Sequence, residues 1–372
     1  FGSSDGSDAL APAFGERRPS APPRSTANAM AAAGAPAVEN APGARRVTGD
    51  EVAKPFITEI QETTAKLAAE GRPKLVGFLA NEDPAAAKYA EWTGRTFKRD
   101  GMNFELRQVE PEALEKALED AGKDPSVHGI MIYYPVFGGR PSFHGGSHDD
   151  YLRDSVSLCK DVEGLCHYYR RTLYKNQRFV DAQQARKCVL PCTPLAVVKV
   201  LEHLGAYDDQ HPVGDRMKGK TVTIVNRSEV VGRPLAAMLA NDGAVVHSVD
   251  ISSTYTFRRG RVEPVPETTT TENLVRESDV VVLGVPSESY KMDPSWVREG
   301  AIVVNVASHK NIDEAALLAS RPGVRFVPQV GKVTIAMLER NLLRLHGNFK
   351  GCEQLIWDSA SGHVVSDAGQ CA

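Results

Sequence analysis

Three features of the composition narrow what this chain can be. No apolar run approaches the roughly 20 residues that a helix needs to cross a bilayer, which argues against a membrane protein. The 44 Lys and Arg residues are outnumbered by 47 Asp and Glu residues, and a net charge of -3 gives no basic field for binding nucleic acid. At 372 residues, the chain is long enough for two domains with a large core.

Cysteine and metal-binding motifs are also sparse. The six cysteines form no CxxC pair, Cys159 and Cys166 lack the spacing of zinc ligands, and no HExxH motif occurs. His144 and His148 are four residues apart, but the glycines around them argue against a rigid metal site. We therefore predict no bound metal and a reducing compartment.

Two tails differ in composition from the rest of the chain. Residues 1–45 are rich in Ala, Pro, Gly and Ser, residues 347–372 are polar, and we predict that both are disordered. The acids Asp5, Asp8 and Glu16 disfavour a mitochondrial transit peptide. We expect a cytoplasmic protein, with a mitochondrial location as the less favoured alternative.

The rest of the chain is organised around a strand–turn–helix–strand unit from Lys220 to Asp250. Residues 221–225 are apolar and β-branched, as in a buried strand, and a helix with Pro234 in its first turn follows. Gly243 ends this helix, and residues 244–249 form the next strand. Unpaired N–H groups at such a helix N-terminus bind anions, and Asp250 is placed to accept hydrogen bonds from an adenosine ribose.

The glycine signature of this turn is incomplete. Asn226, Ser228 and Gly232 stand where the full dinucleotide motif has three glycines. An ordinary βαβ unit without a nucleotide is therefore an alternative, and Asp250 would then only cap the following loop.

Strands also alternate with helices before this unit. We predict helices over residues 52–67, 84–99 and 111–121, and strands over residues 74–80, 103–109 and 129–134. This alternation is typical of an α/β fold with a parallel sheet covered on both faces.

The middle of the chain is predicted to be mainly loop. Residues 136–150 are rich in Gly and His, and residues 159–169 have charged pairs around Gly164. In the PCTP sequence, we expect Thr193 at the N-cap and Pro194 at the first position of a helix that ends near Gly205. We place a domain boundary between residues 192 and 193.

Further strands are predicted after the βαβ unit, over residues 279–283, 301–306 and 325–327. Residues 252–277 are polar and irregular, and we interpret them as a surface insertion. Pro294 is expected to open a helix that closes near Gly300. Residues 329–346 start with a glycine turn and continue as an amphipathic helix.

Several motifs occur in one order: a helix with Tyr89, then GIMIYYPVFG, KDVEG, PCTPLA, NRSEVVGRPLA and GKVTIAML. In this order they resemble the methylenetetrahydrofolate dehydrogenase/cyclohydrolase family, and most closely its monofunctional, NAD-dependent fungal members. The resemblance covers roughly residues 47–345.

The resemblance implies an architecture: two α/β domains flanking a cleft, the second of them a Rossmann-type dinucleotide-binding domain. The folate-binding and catalytic domain would span residues 46–192 and include a returning helix over residues 331–346. The NAD-binding domain would span residues 193–330. Members of the family are homodimers that pair through the nucleotide-binding domain, so we expect a homodimer.

Two departures from the family pattern bear on activity. Bifunctional members carry a Tyr-x-x-x-Lys motif, but the lysine position here is Thr93, which cannot act as a tunable acid or base. The glutamine that partners this lysine is replaced by Tyr133. The resemblance therefore implies a dehydrogenase that lacks cyclohydrolase activity.

Roles in binding tetrahydrofolate follow from the same resemblance. Tyr89 would be the catalytic residue that contacts the folate near the reacting carbon, although a half-buried core tyrosine is the simpler alternative. Glu163 would hold the pterin N–H groups. Tyr133 would line the pterin slot, unless it is a plain core aromatic. Pro328, Gly331 and Thr334 would form the loop that covers the folate.

The cofactor is expected to be NAD, because a carboxylate at Asp250 would repel the 2′-phosphate of NADP. Arg227 and Arg233 argue against this choice of cofactor, since either could bind a phosphate. We place Arg227 near the adenosine end, and interpret Arg233 as structural or facing the pyrophosphate. The residues implied in lining the dinucleotide crevice are Asn226, Arg227, Ser228, Gly232, Arg233, Asp250, Gly284, Val285 and Pro286.

Three other functions are weighed against this one. A bifunctional enzyme could use a relocated base, Lys88 or Lys332. A catalytically lapsed NAD-binding dimer could act as a regulatory protein. An NAD-dependent dehydrogenase for an unrelated small acid would need a His/Asp proton relay, and no such pair occurs at suitable strand ends.

Overall fold

The computed structural model describes residues 39–69, 71–143 and 145–350, together with the backbone of Leu355–Asp358 and His363–Ser366. Most of the predicted N-terminal tail, and His144 of the histidine pair, lie outside these residues. The prediction of disorder up to residue 45 is wrong at its end. Ala44 is buried, and strand β1 (Arg45–Arg46) pairs in parallel with Arg325 and Phe326 near the other end of the chain.

The first half of the chain forms a small parallel sheet with helices. The elements after β1 are α1 (Gly49–Leu67), β2 (Lys74–Leu79), α2 (Pro84–Arg99), β3 (Asn103–Gln108), α3 (Leu114–Lys123) and β4 (Gly129–Ile132). The strand order is β3-β2-β4, and all pairs are parallel. Asp83 caps α2 by accepting a bond from the Ala85 N–H at 2.9 Å, and Pro84 fixes the first turn.

Three helices follow in the region predicted to be mainly loop: α4 (His148–Asp154), α5 (His167–Tyr174) and α6 (Cys192–His203). The prediction missed α4, which starts with a capping box between Ser147 and Asp150. It also missed α5. The start of α6 was misplaced, because Pro191 is the N-cap residue and Thr193 lies inside the helix.

The second half forms an eight-stranded sheet. Its elements are β5 (Thr221–Val225), α7 (Gly232–Asn241), β6 (Val245–Val249), β7 (Thr254–Arg258), β8 (Arg261–Pro264), α8 (Thr271–Arg276), β9 (Val280–Leu283), β10 (Ile302–Asn305), α9 (Glu314–Ser320), β11 (Arg325–Val327) and α10 (Gly331–Phe349). The strand order is β1-β11-β10-β9-β5-β6-β7-β8. The pairs from β1 to β6 are parallel, and the last two are antiparallel. The α/β fold class is confirmed.

The predicted surface insertion over residues 252–277 is wrong. Strands β7 and β8 form an antiparallel hairpin that extends the sheet, and α8 follows it. Phe257 is buried against the sheet, and Gly260 takes a positive φ of 68° in the tight turn. The polar composition misled the prediction, because this hairpin lies at the sheet edge with β8 exposed along its whole length.

Other predicted bounds also need correction. The helix expected from Pro294 to Gly300 is only a 3-10 turn, Pro294–Trp296. The C-terminal tail is not disordered at its start, since α10 continues through Phe349, and β12 (Leu355–Asp358) pairs antiparallel with β13 (His363–Ser366). The remaining tail residues lie outside the described part of the chain.

Helix α10 connects the two sheets. It packs against α1, α2 and β4 near the small sheet, and against α6, which leads into the large sheet. Val333, Met337 and Leu342 on α10 are fully buried. Among the described residues, we find no helix with the length and apolar character needed to cross a membrane.

Candidate active site

The turn after β5 is held together by the side chain of Asn226. Its Oδ1 accepts hydrogen bonds from the N–H of Ser228 at 2.9 Å and of Gly232 at 3.1 Å, and from the Ser228 hydroxyl at 2.8 Å. Its Nδ2 donates to the Gly284 carbonyl at 2.7 Å. One amide therefore fixes the turn and ties it to the carboxyl end of β9.

Glycine is required at position 232, and position 284 leaves little space for a side chain. A Cβ on Gly232 would lie 2.0 Å from the Asn226 carbonyl oxygen, a contact that the backbone cannot tolerate. A Cβ on Gly284 would lie 3.0 Å from the Asn226 side chain and 3.1 Å from Val306. The turn and the neighbouring strand end are thus packed as closely as their backbones allow.

The backbone N–H groups at the start of α7 are not all unpaired, contrary to the prediction from the sequence. The groups of Gly232 and Arg233 are already paired, with Asn226 and with the Ser228 carbonyl at 3.0 Å. In the described part of the chain, the N–H groups of Glu229 and Val230 have no protein acceptor. An anion at this turn would therefore meet residues 229–230 and not the first helical residue.

The two arginines of the turn are held by protein groups. Arg227 donates to the Ser248 carbonyl at 3.0 Å, to the Ser253 hydroxyl at 2.9 Å and to the Ser253 carbonyl, and it lies 4.5 Å from the ring centre of Tyr255. Arg233 is exposed and forms an ion pair with Glu229. Both guanidinium groups are engaged by protein acceptors around the turn.

Asp250 lies at the carboxyl end of β6 and is exposed. Its Oδ1 accepts the N–H of Ile251 at 2.9 Å, and its own N–H donates to the Ser253 carbonyl at 3.0 Å. The same carbonyl accepts a bond from Arg227. The Asp250 carboxylate therefore lies on a turn that the Asp250–Ser253 backbone hydrogen bond closes. Arg227 stabilises this turn by donating to the Ser253 carbonyl. Among the strand-end candidates, Val285 is half-buried and Pro286 is exposed.

A second feature is a narrow slot of about 140 Å³ near the end of β4. It brings together three predicted residues, Tyr89, Glu163 and Thr334, from three separate elements. Val230, from the turn that Asn226 organises, also lines it. The remaining lining residues are Met131, Leu165, Pro191, Cys192, Thr193 and Leu338.

Glu163 is the carboxylic acid of the slot. Its Oε2 accepts the N–H of Ile132 at 3.3 Å. Burial raises the pKa of this carboxyl to about 8, and the negative charge of nearby Asp161 adds to the effect. Asp161 is itself buried and accepts the N–H groups of Glu163, Gly164 and Cys166 at 2.8 to 3.1 Å. A partly desolvated acid thus faces a cavity that is lined by both apolar and polar side chains.

Tyr133 does not line this slot. Its ring packs edge-on against Tyr89, with ring centres 6.0 Å apart, and the residue is 3% exposed. Thr93 is fully buried beside it, and the Thr93 hydroxyl donates to the Tyr89 carbonyl at 2.9 Å. Burial raises the pKa of the Tyr133 hydroxyl, which lies near Thr93 and has no hydrogen-bond partner among the described residues. The two departures from the family pattern are therefore neighbours in space.

A wider cleft of about 610 Å³ adjoins the slot and shares Tyr89 with it. Pro328 and Gly331 line the cleft and not the slot. A Cβ on Gly331 would lie 3.4 Å from the Trp92 ring, an ordinary van der Waals contact, so the start of α10 lies close to α2. The residues from the carboxyl end of the large sheet that line it are Val306, Ala307 and Ser308.

Sequence reasoning missed several of the residues that line these cavities. Met131, Cys192 and Leu338 carry no chemical signal and have the spacing of ordinary core residues. Val230 was within the recognised motif, and its position between Ser228 and Gly232 was the available signal. The wide cleft gave no signal, because its walls come from segments more than 200 residues apart in the chain.

The geometry defines a class of protein. An α/β sheet presents a tight dinucleotide-type turn whose Val230 forms part of the wall of a narrow slot with a half-buried acid. Such an arrangement suits transfer between a dinucleotide and a flat, hydrogen-bonding ligand, with water excluded.

Comparison with known proteins identifies the family. The model of the tetrahydrofolate dehydrogenase/cyclohydrolase catalytic domain matches residues 47–163, and that of the family's NAD(P)-binding domain matches residues 191–349. The methylenetetrahydrofolate dehydrogenase (NAD+) of Schizosaccharomyces pombe is 48% identical over 305 residues, which cover 80% of this chain and 92% of that protein. The protein of the same name from Dictyostelium discoideum is 48% identical, covering 74% and 87%.

A solved structure agrees with these matches. The NAD-dependent 5,10-methylenetetrahydrofolate dehydrogenase of Saccharomyces cerevisiae superposes with a TM-score of 0.77 at 43% identity, covering 84% of this chain and all of that one. The chain belongs to the tetrahydrofolate dehydrogenase/cyclohydrolase family, so the resemblance found in the sequence is confirmed.

Proposed function

We propose that this protein oxidises 5,10-methylenetetrahydrofolate to 5,10-methenyltetrahydrofolate with NAD and lacks cyclohydrolase activity. The observation that carries the proposal is the slot in which Tyr89 and Glu163 face Val230 of the dinucleotide-type turn. Relatives at 46–48% identity are named as NAD(+) methylenetetrahydrofolate dehydrogenases, and this supports both substrate and cofactor.

The reaction suits a site without an acid–base pair. The methylene carbon lies between two nitrogens, and its loss of hydride leaves a cation delocalised over both, so no proton moves. NAD, when bound, supplies the hydride acceptor. The protein has to hold the pterin flat, exclude water and fix the distance to the reacting carbon. Tyr89 and Thr334 would provide the walls, and Glu163 would accept the pterin N–H groups.

The residues around the turn fit NAD. Close packing at Gly232 and Gly284 holds the turn against the end of β9, and the N–H groups of Glu229 and Val230 would be available to a pyrophosphate. The exposed carboxylate of Asp250 would accept hydrogen bonds from the ribose and repel a 2′-phosphate. Arg227 would stabilise this turn through its hydrogen bonds to Ser248 and Ser253.

The proposed loss of cyclohydrolase activity rests on Thr93. The hydrolytic step needs an activated water, and a neutral, fully buried hydroxyl that bonds to the Tyr89 carbonyl cannot supply one. Neither candidate for a relocated base lines the slot: Lys88 is exposed on α2, and Lys332 forms an ion pair with Asp50 at the wide cleft. These positions disfavour the bifunctional alternative.

The decisive experiment is an assay of the purified protein with methylenetetrahydrofolate and either NAD or NADP. We expect the methenyl product to accumulate with NAD and to form poorly with NADP, as followed by its absorbance. NADH production without the methenyl product would show that hydrolysis survives and would overturn the role given to Thr93. Absence of turnover with both cofactors would favour a lapsed binding protein.

We also propose the domain division and the assembly state implied by the family. Residues 46–192 with the helix over 331–346 would form the folate domain, and residues 193–330 the NAD domain. A homodimer is supported by the exposed edge strand β8, on which Val262 is 56% exposed. Light scattering after gel filtration tests the dimer, and a monomer mass would contradict it.

A cytoplasmic location is proposed on the basis of the free thiols of Cys159, Cys166, Cys188 and Cys192, which suit a reducing compartment. Subcellular fractionation with compartment markers tests this, and recovery with mitochondrial markers would contradict it.

A further inference from the structure

Two buried asparagines outside the recognised motifs hold the loops at the carboxyl end of the large sheet. Asn311, in the segment between β10 and α9, is fully buried. Its Oδ1 accepts the N–H of Val285 at 2.9 Å, and its Nδ2 donates to the Val285 carbonyl at 3.0 Å. The side chain thus pairs with both polar groups of Val285, as a neighbouring strand would.

Asn305, at the carboxyl end of β10, continues this set of bonds. It is 3% exposed, and its Oδ1 accepts the N–H of Asn311 at 3.3 Å. Its Nδ2 donates to the carbonyls of Ala307 and His309 at 3.0 Å each, and to that of Pro328 at 3.3 Å. One amide therefore joins the loop after β10 to the loop after β11.

The bonds form a continuous series across four strand ends. Asn226 ties the turn after β5 to Gly284, Asn311 holds Val285, and Asn305 joins Asn311 to Pro328. These bonds run from the dinucleotide-type turn at one end to the wide cleft lined by Ala307 and Pro328 at the other.

The chemistry of these side chains argues for positioning. A buried amide is costly unless its groups are paired, so an apolar side chain would fill the space more simply. Among the described residues, and apart from the bond between the two asparagines, every side-chain partner of Asn305 and Asn311 is the backbone of a loop that follows β9, β10 or β11. These loops include residues proposed to contact NAD and residues that line the cleft beside the pterin slot.

We propose that Asn305 and Asn311 are positioning residues that set the loops for both ligands at once, although neither side chain touches a ligand. The identity of the ligands rests on the proposed function. Removing either amide would release Val285 on the cofactor side and the loop carrying Ala307 and Pro328 on the substrate side.

Calorimetric titration of the full chain with NAD, and separately with tetrahydrofolate, tests this without turnover. We expect Asn311→Ala to weaken both ligands at least threefold, with the larger loss for NAD. Asn305→Ala should also weaken both at least threefold, with the larger loss for tetrahydrofolate. The milder Asn311→Ser provides a second variant if the alanine variant does not fold.

Two comparisons separate positioning from general stability. Asn241→Ala is the matched control, since Asn241 is a buried asparagine whose Nδ2 donates to the Leu173 carbonyl at 3.1 Å, at the opposite end of α7 from the turn. It should lower the melting temperature and leave both affinities unchanged. Asn305→Asp has the same shape but cannot donate to three carbonyls, so we expect it to bind no better than Asn305→Ala.

The proposal is overturned if the Asn305 and Asn311 variants melt earlier but bind both ligands as the wild type does. Loss of affinity for only one ligand would also overturn it, and so would rescue by Asn305→Asp. A wild-type protein that binds NAD but not tetrahydrofolate would contradict the proposed function instead, and the NAD titrations would then decide the positioning role by themselves.

Discussion

The narrow slot beside Glu163 and the dinucleotide-type turn are built in different ways. The slot is made of side chains from α2, β4, the segment around Glu163, α6 and α10, which meet only in the folded protein. The turn is made of backbone groups and the single side-chain amide of Asn226 within seven consecutive residues, Asn226 to Gly232. The slot encloses a desolvated acid, whereas the acid near the turn, Asp250, is exposed.

This difference suggests how each region binds its ligand. A slot of buried side chains gains strength from desolvation, because charged hydrogen bonds are stronger where water is excluded. A turn of backbone groups gains its precision from close packing, because a single added carbon has no space. Substitutions should therefore act through electrostatics in the slot and through sterics in the turn.

The largest effect is expected from Gly232→Ala in the turn. Its Cβ would lie 2.0 Å from the Asn226 carbonyl oxygen, so the turn would have to open. We expect NAD affinity to fall by roughly a hundredfold or more, on the scale of a few kcal/mol for forced overpacking. Gly122→Ala in α3 is the control, since no atom lies within 4 Å of its added carbon, and its NAD affinity should stay unchanged. Equal affinities in a titration of both variants would refute the steric account.

Glu163→Gln should act on the slot alone. Loss of a charged acceptor for the pterin is expected to lower kcat/KM for the folate by about 10- to 100-fold, the range for hydrogen bonds to charged groups. The KM for NAD should stay unchanged. A similar loss for both substrates would mean that Glu163 supports the whole site and not the pterin.

The pH dependence of the slot provides a further test. The pKa of Glu163 is about 8 in the free protein, so the carboxylate needed to accept pterin N–H groups is scarce at lower pH. Between pH 6 and pH 8, kcat/KM for the folate should rise by up to about tenfold per unit, and then level off. Glu163→Gln should remove this rise. A flat wild-type profile would contradict the assignment.

Asp250→Ser tests the exposed acid with a smaller expected effect. Removal of the carboxylate should lower kcat/KM with NAD by about tenfold, roughly one hydrogen bond to a charged group, and raise activity with NADP. Arg227 would remain bound to Ser248 and Ser253, so the gain with NADP should stay modest. Unchanged cofactor preference would show that Asp250 only caps its turn.

Glu339→Gln should change the stability of the protein and leave its affinity for both ligands unchanged. Burial, together with the negative charge of Asp100, raises the pKa of Glu339 to about 9, and both of its carboxyl oxygens lack a hydrogen-bond partner in the described part of the chain. Above the unfolded pKa of about 4.5, the unfolded chain loses this proton while the folded protein keeps it, so stability falls as pH rises towards 9.

Denaturant unfolding at pH 6 and pH 8 checks this prediction. The variant should gain stability relative to the wild type by up to about 1.4 kcal/mol per pH unit. Parallel pH profiles of the two proteins would contradict the shifted pKa. A change in the KM for the folate would contradict the separation between this acid and the slot.

Much of the fold could be predicted because local signals agreed. The strand Thr221–Val225 and helix Pro84–Arg99 were predicted at their observed bounds, since β-branched runs and an Asp-Pro start mark such elements directly. The hairpin Thr254–Pro264 was missed, because an edge hairpin with one exposed strand has a polar composition like that of a loop. Helix α4 was missed because the segment that precedes it is rich in glycine.

The sequence by itself determined the family and the contiguous turn from Asn226 to Gly232, because most hydrogen bonds of this turn join residues close in the chain. Only the tertiary structure decided that Thr93 and Tyr133 are neighbours, that Cys192 and Val230 line the slot with Glu163, and that Asn305 reaches Pro328. The physical reason is distance along the chain. Desolvation of an acid and pairing of buried amides arise only when remote segments exclude water together.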